Sequence, residues 1–136
     1  MTRLLSLALL LSVLSGTVHA EFRADHFSVI RELLSLGMFN VYNKPHRESD
    51  FAACTSVAVE QRKDCERRSA IVADTIEKAA REVDEAENAA LVKKDEGEAA
   101  RLLLLAARDI SWHHQLRDQW VQTYFPQQAE VREERL

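Results

Sequence analysis

The sequence predicts an all-α protein, an elongated three-helix arrangement dominated by a long antiparallel helical hairpin and stapled by one disulfide. Three observations support this fold class. After residue 20 the chain contains only two glycines and two prolines, while helix-favouring alanine, leucine, glutamate and arginine dominate. Apolar residues recur at spacings of three and four, as on one face of a helix. The only cysteines, Cys54 and Cys65, lie near the start of the longest such pattern.

The glycines and prolines divide the chain into the expected helices. We expect these helices over residues 24–42, 64–94 and 98–125. The irregular segment 43–50 contains Pro45, which disfavours helix in the residue before it, and is expected to be a loop. Basic residues followed by Gly97 predict a tight turn over residues 93–97. The sequence leaves open whether residues 49–64 are loop or helix.

The second helix carries an unbroken heptad seam of mostly small residues. Its members, separated alternately by four and three positions, are Cys65, Ser69, Val72, Ile76, Ala79, Val83, Ala86 and Ala90. Small side chains allow a partner helix to approach closely. The third helix offers a bulkier face, formed by Leu103, Ala106, Ile110, His113, Trp120 and Tyr124. The short turn between them predicts an antiparallel hairpin. The alternative is that the seam joins subunits of an oligomeric, chaperone-like adaptor.

The first 20 residues are organised as a secretory signal peptide. Arg3 provides a positive start, residues 4–14 are apolar apart from two serines, and Val18-His19-Ala20 suits a cleavage site. The alternative is an uncleaved membrane anchor, but an apolar core of about ten residues is too short to cross ~30 Å of hydrocarbon. We therefore expect cleavage after Ala20 and a periplasmic or secreted protein. Residues 21–126 are then one helical domain, and residues 127–136 a polar, flexible tail.

The charge balance narrows the class of partner. The chain has a formal net charge of −4, and removal of Arg3 with the signal peptide makes it −5 on the remaining 116 residues. An acidic protein is a poor ligand for nucleic acid or an anionic membrane. The charge is compatible with a basic protein partner, although a charge of this size also serves ordinary solubility.

The two cysteines most simply form a disulfide, because export exposes them to an oxidising compartment. On one continuous helix, however, residues eleven apart lie ~16 Å apart along the axis. A disulfide needs Cα atoms within about 7 Å. We therefore expect the backbone to fold back between Cys54 and Cys65. Free or intermolecular thiols are the alternative.

No catalytic or cofactor-binding motif is present, so we expect neither enzyme activity nor a cofactor. The isolated glycines cannot form a phosphate loop, and no serine lies in a nucleophile-elbow context. The most metal-like feature pairs Asp109 with His113 and His114 with Asp118, each at i, i+4. The adjacent histidines point about 100° apart and do not easily share one ion. A packed histidine is the favoured interpretation, and a metal-sensing protein is an alternative.

Two surfaces are candidates for binding a protein partner. One is the aromatic part of the third helix, with Trp112, His113 and Trp120. Aromatic residues belong to the core by default, but an exposed tryptophan would act as a binding anchor. The other is the irregular segment containing Tyr42, His46 and Arg47, because binding residues often lie in loops. The alternative for that segment is a plain connector.

Several short motifs resemble the bacterial lysozyme-inhibitor family of the LprI N-terminal type. They are Asp50-Phe-Ala-Ala-Cys54, a spacer containing Val59-Glu60, Cys65 before a long charged helix, and the run from Ala107-Arg-Asp through Trp112 to Arg117-Asp118. The family pattern places the tryptophan one residue closer to Arg-Asp and follows that pair with a further cysteine. The resemblance implies a helical envelope protein that binds and blocks lysozyme. The leading hypothesis is therefore an inhibitor or immunity-type protein that sterically blocks a cell-wall hydrolase.

Overall fold

The computed structural model describes residues 21–38 and 46–128. Their main elements are α1 (Ala24–Met38), α2 (His46–Ala53), α3 (Val59–Glu87) and α4 (Glu96–Tyr124). No strand occurs in these two ranges. Helices α3 and α4 have 29 residues each, roughly 43 Å at 1.5 Å per residue. They form the predicted antiparallel hairpin, against which α1 and α2 pack.

The heptad seam of α3 is buried along its whole length, as predicted. All eight seam residues are inaccessible to solvent or nearly so. Against the seam pack Ala99, Leu102 and Ala106 of α4, and the resulting apolar cluster also includes Phe27 and Leu34 of α1. The small side chains are therefore used within one chain to bring α3 and α4 together. The oligomeric adaptor would have used this same seam between subunits. Because the seam is buried within one chain, it offers no surface for that contact.

The predicted loop over residues 43–50 is wrong for residues 46–50, which begin α2. Pro45 disfavours helix in the residue before it but leaves the residues after it free to be helical. Two contacts then fix α2 on the hairpin, one from Arg47 to α3 and one from Asp50 to α4. Residues 39–45, including Tyr42, lie outside the described residues.

Helix α3 begins at Val59, five residues before the predicted start at 64. The reversal between the cysteines occupies only a 3₁₀ turn, Cys54–Ser56, and the extended residues Val57 and Ala58. The segment that the sequence left open is therefore mostly helical, with one short break. Thr55 and Val57 favour the break, since β-branched side chains have a lower helix propensity.

The turn between α3 and α4 differs from the prediction. A π-helical turn over Asn88–Val92 follows α3, and both Ala89 and Ala90 within it are buried. Lys94, with φ 57°, takes the left-handed conformation expected of Gly97. Gly97 instead lies in the first turn of α4, because Asp95 caps that helix with a side-chain oxygen that accepts from the Glu98 amide at 2.9 Å.

Replacing Asp95 with alanine should lower the free energy of unfolding by about 1 kcal/mol, because the first turn of α4 loses its side-chain acceptor. The change can be measured by urea unfolding followed by circular dichroism. Asp95→Ser is the matched control, since serine can also accept from the amide three residues on. Equal stabilities for the alanine and serine variants would contradict the capping role.

Two arginines hold the N-terminal helices on α3 through the same arrangement. Arg31 of α1 donates to Asp84 at 2.9 Å and also to Glu87. Arg47 of α2 donates to Glu77 at 2.8 Å and also to Asp74. Each guanidinium thus binds an acidic pair three residues apart on the exposed side of α3. Exposed ion pairs contribute little individually, so they mainly fix the positions of α1 and α2.

Helix α4 ends at Tyr124, and Pro126 opens a single further helical turn, residues 126–128. Proline suits the first position of a helical turn because its missing amide hydrogen would be unpaired there. The predicted polar tail begins within this exposed turn, and residues 129–136 lie outside the described residues. None of the helices described is both long and apolar enough to span a membrane.

Candidate functional site

The disulfide between Cys54 and Cys65 is present, with the two Cα atoms 5.7 Å apart. The chain reaches this geometry because the 3₁₀ turn after α2 reverses its direction. The Val57 amide donates to the Cys54 carbonyl at 3.2 Å, and Arg62 Nε donates to the Val57 carbonyl at 3.0 Å. Both cysteines are fully buried. The bond therefore joins the end of α2 to the first turns of α3, as the sequence predicts.

Two of the predicted partner-binding residues lie in the interior. Trp120 is only 4% exposed, packs beside the disulfide, and donates from Nε1 to the Cys65 carbonyl at 3.1 Å. His113 is 1% exposed, and its Nδ1 lies 2.9 Å from the Val72 carbonyl. These side chains hold α4 against α3, and of the two only Trp120 reaches the wall of a surface hollow.

Among the three candidates on α4, which are Trp112, His113 and Trp120, Trp112 is the one that reaches solvent. Half of its surface is exposed. It lines an open hollow of about 600 Å³ together with Arg108, Asp109, Ser111 and Gln115. The other candidates differ from it. His46 is partly buried, and Arg47 is occupied by its two carboxylate partners. Trp112 therefore marks the candidate site.

A second hollow of about 260 Å³ lies between α3 and α4, further along α4 from Trp112. It is lined by Leu116, one turn from Trp112, and by Ile71 of α3, which is 44% exposed. At about 100° per residue, Ile71 lies about 120–140° around α3 from Glu77 and Asp84, which hold α2 and α1. The hollows are therefore on the side of the hairpin that these helices leave open. We call this surface the Trp112 face, formed by Arg68, Ile71, Arg108, Trp112, Gln115 and Leu116.

Ion pairs lie at both edges of the Trp112 face. Arg67 and Arg68 both bind Asp64, and a hydrogen bond from Tyr124 together with Arg67 lowers the pKa of Asp64 to about 2. At the other end, Lys78 and Arg108 bind the buried Asp109. The Lys78 contact is the main reason that the pKa of Asp109 is lowered. Both carboxylates are ionised at neutral pH, and each offsets one of the two cations bound to it, so an apolar centre lies between two ion-paired edges.

A polar cluster between α2 and α4 has no counterpart in the sequence analysis. We call it the His46 cluster, and its members are His46, Asp50, His113 and Arg117. Asp50 is buried and accepts from Arg117 Nη2 at 3.3 Å. His46 Nδ1 and Arg117 Nε are buried without a hydrogen-bond partner. Asp50 and Arg117 are 67 positions apart, so no local pattern could have linked them.

Metal binding has no clear location in the described residues. Nowhere in residues 21–38 and 46–128 do three or more histidine, cysteine, aspartate or glutamate side chains form a group able to hold an ion. The rings of His113 and His114 have centroids 5.5 Å apart, but His113 Nδ1 is already hydrogen-bonded to Val72. The metal-sensing alternative therefore gains no support from this geometry.

The chain matches no known protein-family model, curated protein or solved structure. The resemblance to the lysozyme-inhibitor family thus remains a prediction from the short motifs quoted above.

Proposed function

We propose that this chain is an exported protein that binds another protein through the Trp112 face, and that its target is a cell-wall hydrolase such as lysozyme. The observation that carries the proposal is the exposed Trp112 at the centre of an open helical face. The mechanism is steric: the hairpin covers the cleft of the enzyme. The chain itself performs no chemistry in this proposal.

The hairpin supports this role because its binding face is held rigid. The seam of α3 is buried against α4 along its length, and the disulfide fixes the start of α3. A binding surface that is already ordered loses less entropy on association. Trp112 can therefore be offered in one orientation, as an anchor residue requires.

The composition of the Trp112 face also favours a protein partner. Tryptophan is enriched among the few residues that supply most of the binding energy at interfaces, and such residues lie centrally within a polar rim. Here the rim consists of Arg68, Arg108 and Gln115. Both arginines are paired with carboxylates, so covering the face does not bury an isolated charge.

Charge and compartment point to the class of target. Without its first 20 residues the chain has a formal charge of −5, which favours encounter with a basic enzyme through long-range attraction. The disulfide suits an oxidising compartment such as the periplasm. Cell-wall hydrolases act there, and the family resemblance suggests lysozyme among them.

The test is a titration of oxidised protein, residues 21–136, into lysozyme acting on bacterial cell walls. We expect a dose-dependent loss of lytic rate. Replacing Trp112 with alanine should weaken inhibition at least tenfold, or about 1.4 kcal/mol of binding free energy. Leu104→Ala is the matched control, because Leu104 is 74% exposed on the same helix but ~12 Å away along the axis. It should inhibit like the unchanged protein.

Two outcomes would contradict the proposal in different ways. No inhibition at a large molar excess would remove lysozyme as the target. Inhibition that is equally strong with alanine at position 112 would retain the target but place the binding surface elsewhere on the molecule. Circular dichroism of each variant confirms that a loss of inhibition is not a loss of folding.

A further inference from the structure

The His46 cluster lies where α2 meets α4, and it contains three basic side chains but one carboxylate. Arg117 is its permanent cation, and Asp50 is the carboxylate that faces it. Asp50 is buried, and its contact with Arg117 Nη2 leaves Arg117 Nε without an acceptor. The charges of the cluster therefore balance only while both histidines are neutral.

His113 is held in one neutral form. Because Val72 offers a carbonyl oxygen, His113 Nδ1 must carry the hydrogen and donate it across 2.9 Å. A second proton would have to bind Nε2 and place a full positive charge on a ring that is 1% exposed. Burial lowers the pKa of His113 most, and nearby His114 and Arg117 lower it further against the opposing effects of the Val72 carbonyl and Asp50.

His46 is subject to the same influences from α2. Its Nδ1 is buried without a hydrogen-bond partner. Burial is the first cause of its lowered pKa, followed by repulsion from Arg117; Asp50 acts in the opposite direction, and His113 adds a smaller repulsion. The carboxylates of α3 that contact α2, Asp74 and Glu77, are bound to Arg47. Two protonations would therefore set three positive charges against Asp50.

We propose that α2 is an acid-sensitive latch, which lies on the hairpin at neutral pH and separates from it when His46 and His113 take up protons. Separation brings the His46 ring and Arg117 into water and opens the α2 side of His113, whose Nδ1 stays bonded to the Val72 carbonyl of α3. The disulfide keeps the end of α2 attached at Cys54, so the helix swings away without being lost. Because α3 and α4 share their own apolar core, the hairpin remains folded.

The direction of the pH effect follows from the lowered pKa values. Released histidines titrate near the ordinary value of 6.5, while the docked histidines titrate below it. Docking is therefore fully favourable above pH 6.5 and weakens as the pH falls below it, until the docked histidines also protonate. Each proton held only by the released form changes the equilibrium tenfold per pH unit. Two protons give up to about a hundredfold per unit.

Hydrogen–deuterium exchange of oxidised protein, residues 21–136, at constant ionic strength tests the latch. After correction for intrinsic exchange, amides of α2 should exchange at least tenfold faster at pH 5.0 than at pH 7.5. Amides in the middle of α4 should change much less. An equal increase in both helices would indicate global unfolding and overturn the proposal, as would an unchanged rate in α2.

Variants separate the latch from general instability. His46→Gln should reduce the pH effect on α2 while preserving its protection at pH 7.5. His26→Gln, a change at an exposed histidine of α1 outside the cluster, should leave the effect intact. If His46→Gln lowers protection at pH 7.5, proton NMR of the unchanged protein decides the matter. Imidazole titrations of His46 and His113 with midpoints at or above 6.5 would overturn the proposal, and midpoints below 6.5 would support it.

Discussion

Replacing Trp120 with alanine is expected to lower the free energy of unfolding by about 3–5 kcal/mol, the usual cost of removing a large buried aromatic side chain. Trp120 belongs to the apolar cluster that contains both cysteines, Val57 and Val72. Its ring lies 5.0 Å from that of Phe125, centroid to centroid. The substitution would leave a cavity beside the disulfide, and it would also remove the hydrogen bond to the Cys65 carbonyl.

Urea unfolding at neutral pH measures this effect, and the other tryptophan provides its control. Trp112→Ala should change stability by no more than about 0.5 kcal/mol, because exposed side chains away from special features contribute little. Trp120→Phe retains most of the ring and should cost less than alanine. A loss below about 1 kcal/mol for Trp120→Ala would show that this cluster does not support the hairpin.

Removing the disulfide by changing both cysteines to alanine is expected to cost about 3 kcal/mol. The bond closes a short segment whose ends are eleven positions apart. Closing a loop of this size lowers the entropy of the unfolded chain by an amount equivalent to about 3 kcal/mol. The cost matters because the described core divides into two modest clusters. A small core contributes little free energy of unfolding beyond what folding requires. The whole start of α3 should loosen, together with the end of α2.

Thermal and urea unfolding with and without a reducing agent measure the contribution of the bond. Reduction should destabilise the unchanged protein and leave the double alanine variant unaffected, so the variant serves as its own control. A difference below about 1 kcal/mol between oxidised and reduced protein would mean that packing around Trp120 already fixes the reversal without the covalent bond.

The hairpin could be predicted because its signals are local and repeated. The spacing of the seam from Cys65 to Ala90 specifies one face of α3, and every member is buried. The turn at Lys94 and Asp95 could not be predicted in the same way. Gly97 looked like the residue that leaves the helix, yet the capping contact between Asp95 and Glu98 starts α4 earlier and moves the left-handed residue to Lys94.

Helix α2 escaped prediction because tertiary contacts decide its presence. Eight residues are too few to form a stable helix alone. Docking stabilises it, through Arg47 on α3 and through Asp50 on α4. These partners are separated along the chain by 30 and 67 positions. Patterns among neighbouring residues reveal neither contact, so they could not predict the His46 cluster.

The sequence offered two tryptophans of the third helix as candidates for an exposed binding residue, without deciding between them. Trp112 and Trp120 are eight residues apart, about 80° around a helix, so either could have been the buried one. The location of the disulfide decides between them. Trp120 packs beside the disulfide, whereas Trp112 lies outside that apolar cluster and lines a surface hollow. The sequence showed an aromatic helix end, and only the packing of α3 shows which ring faces solvent.

The paired arrangement of Arg31 and Arg47 gives the molecule two parts with different responses to ionic strength. Both arginines reach exposed carboxylates on α3, and dissolved ions weaken such contacts over a Debye length of about 8 Å at physiological salt. The hairpin beneath them is held by apolar packing, which screening does not weaken. Added salt should therefore weaken the ion pairs that position α1 and α2, while the apolar contacts of α1 through Phe27 and Leu34 remain with the hairpin core.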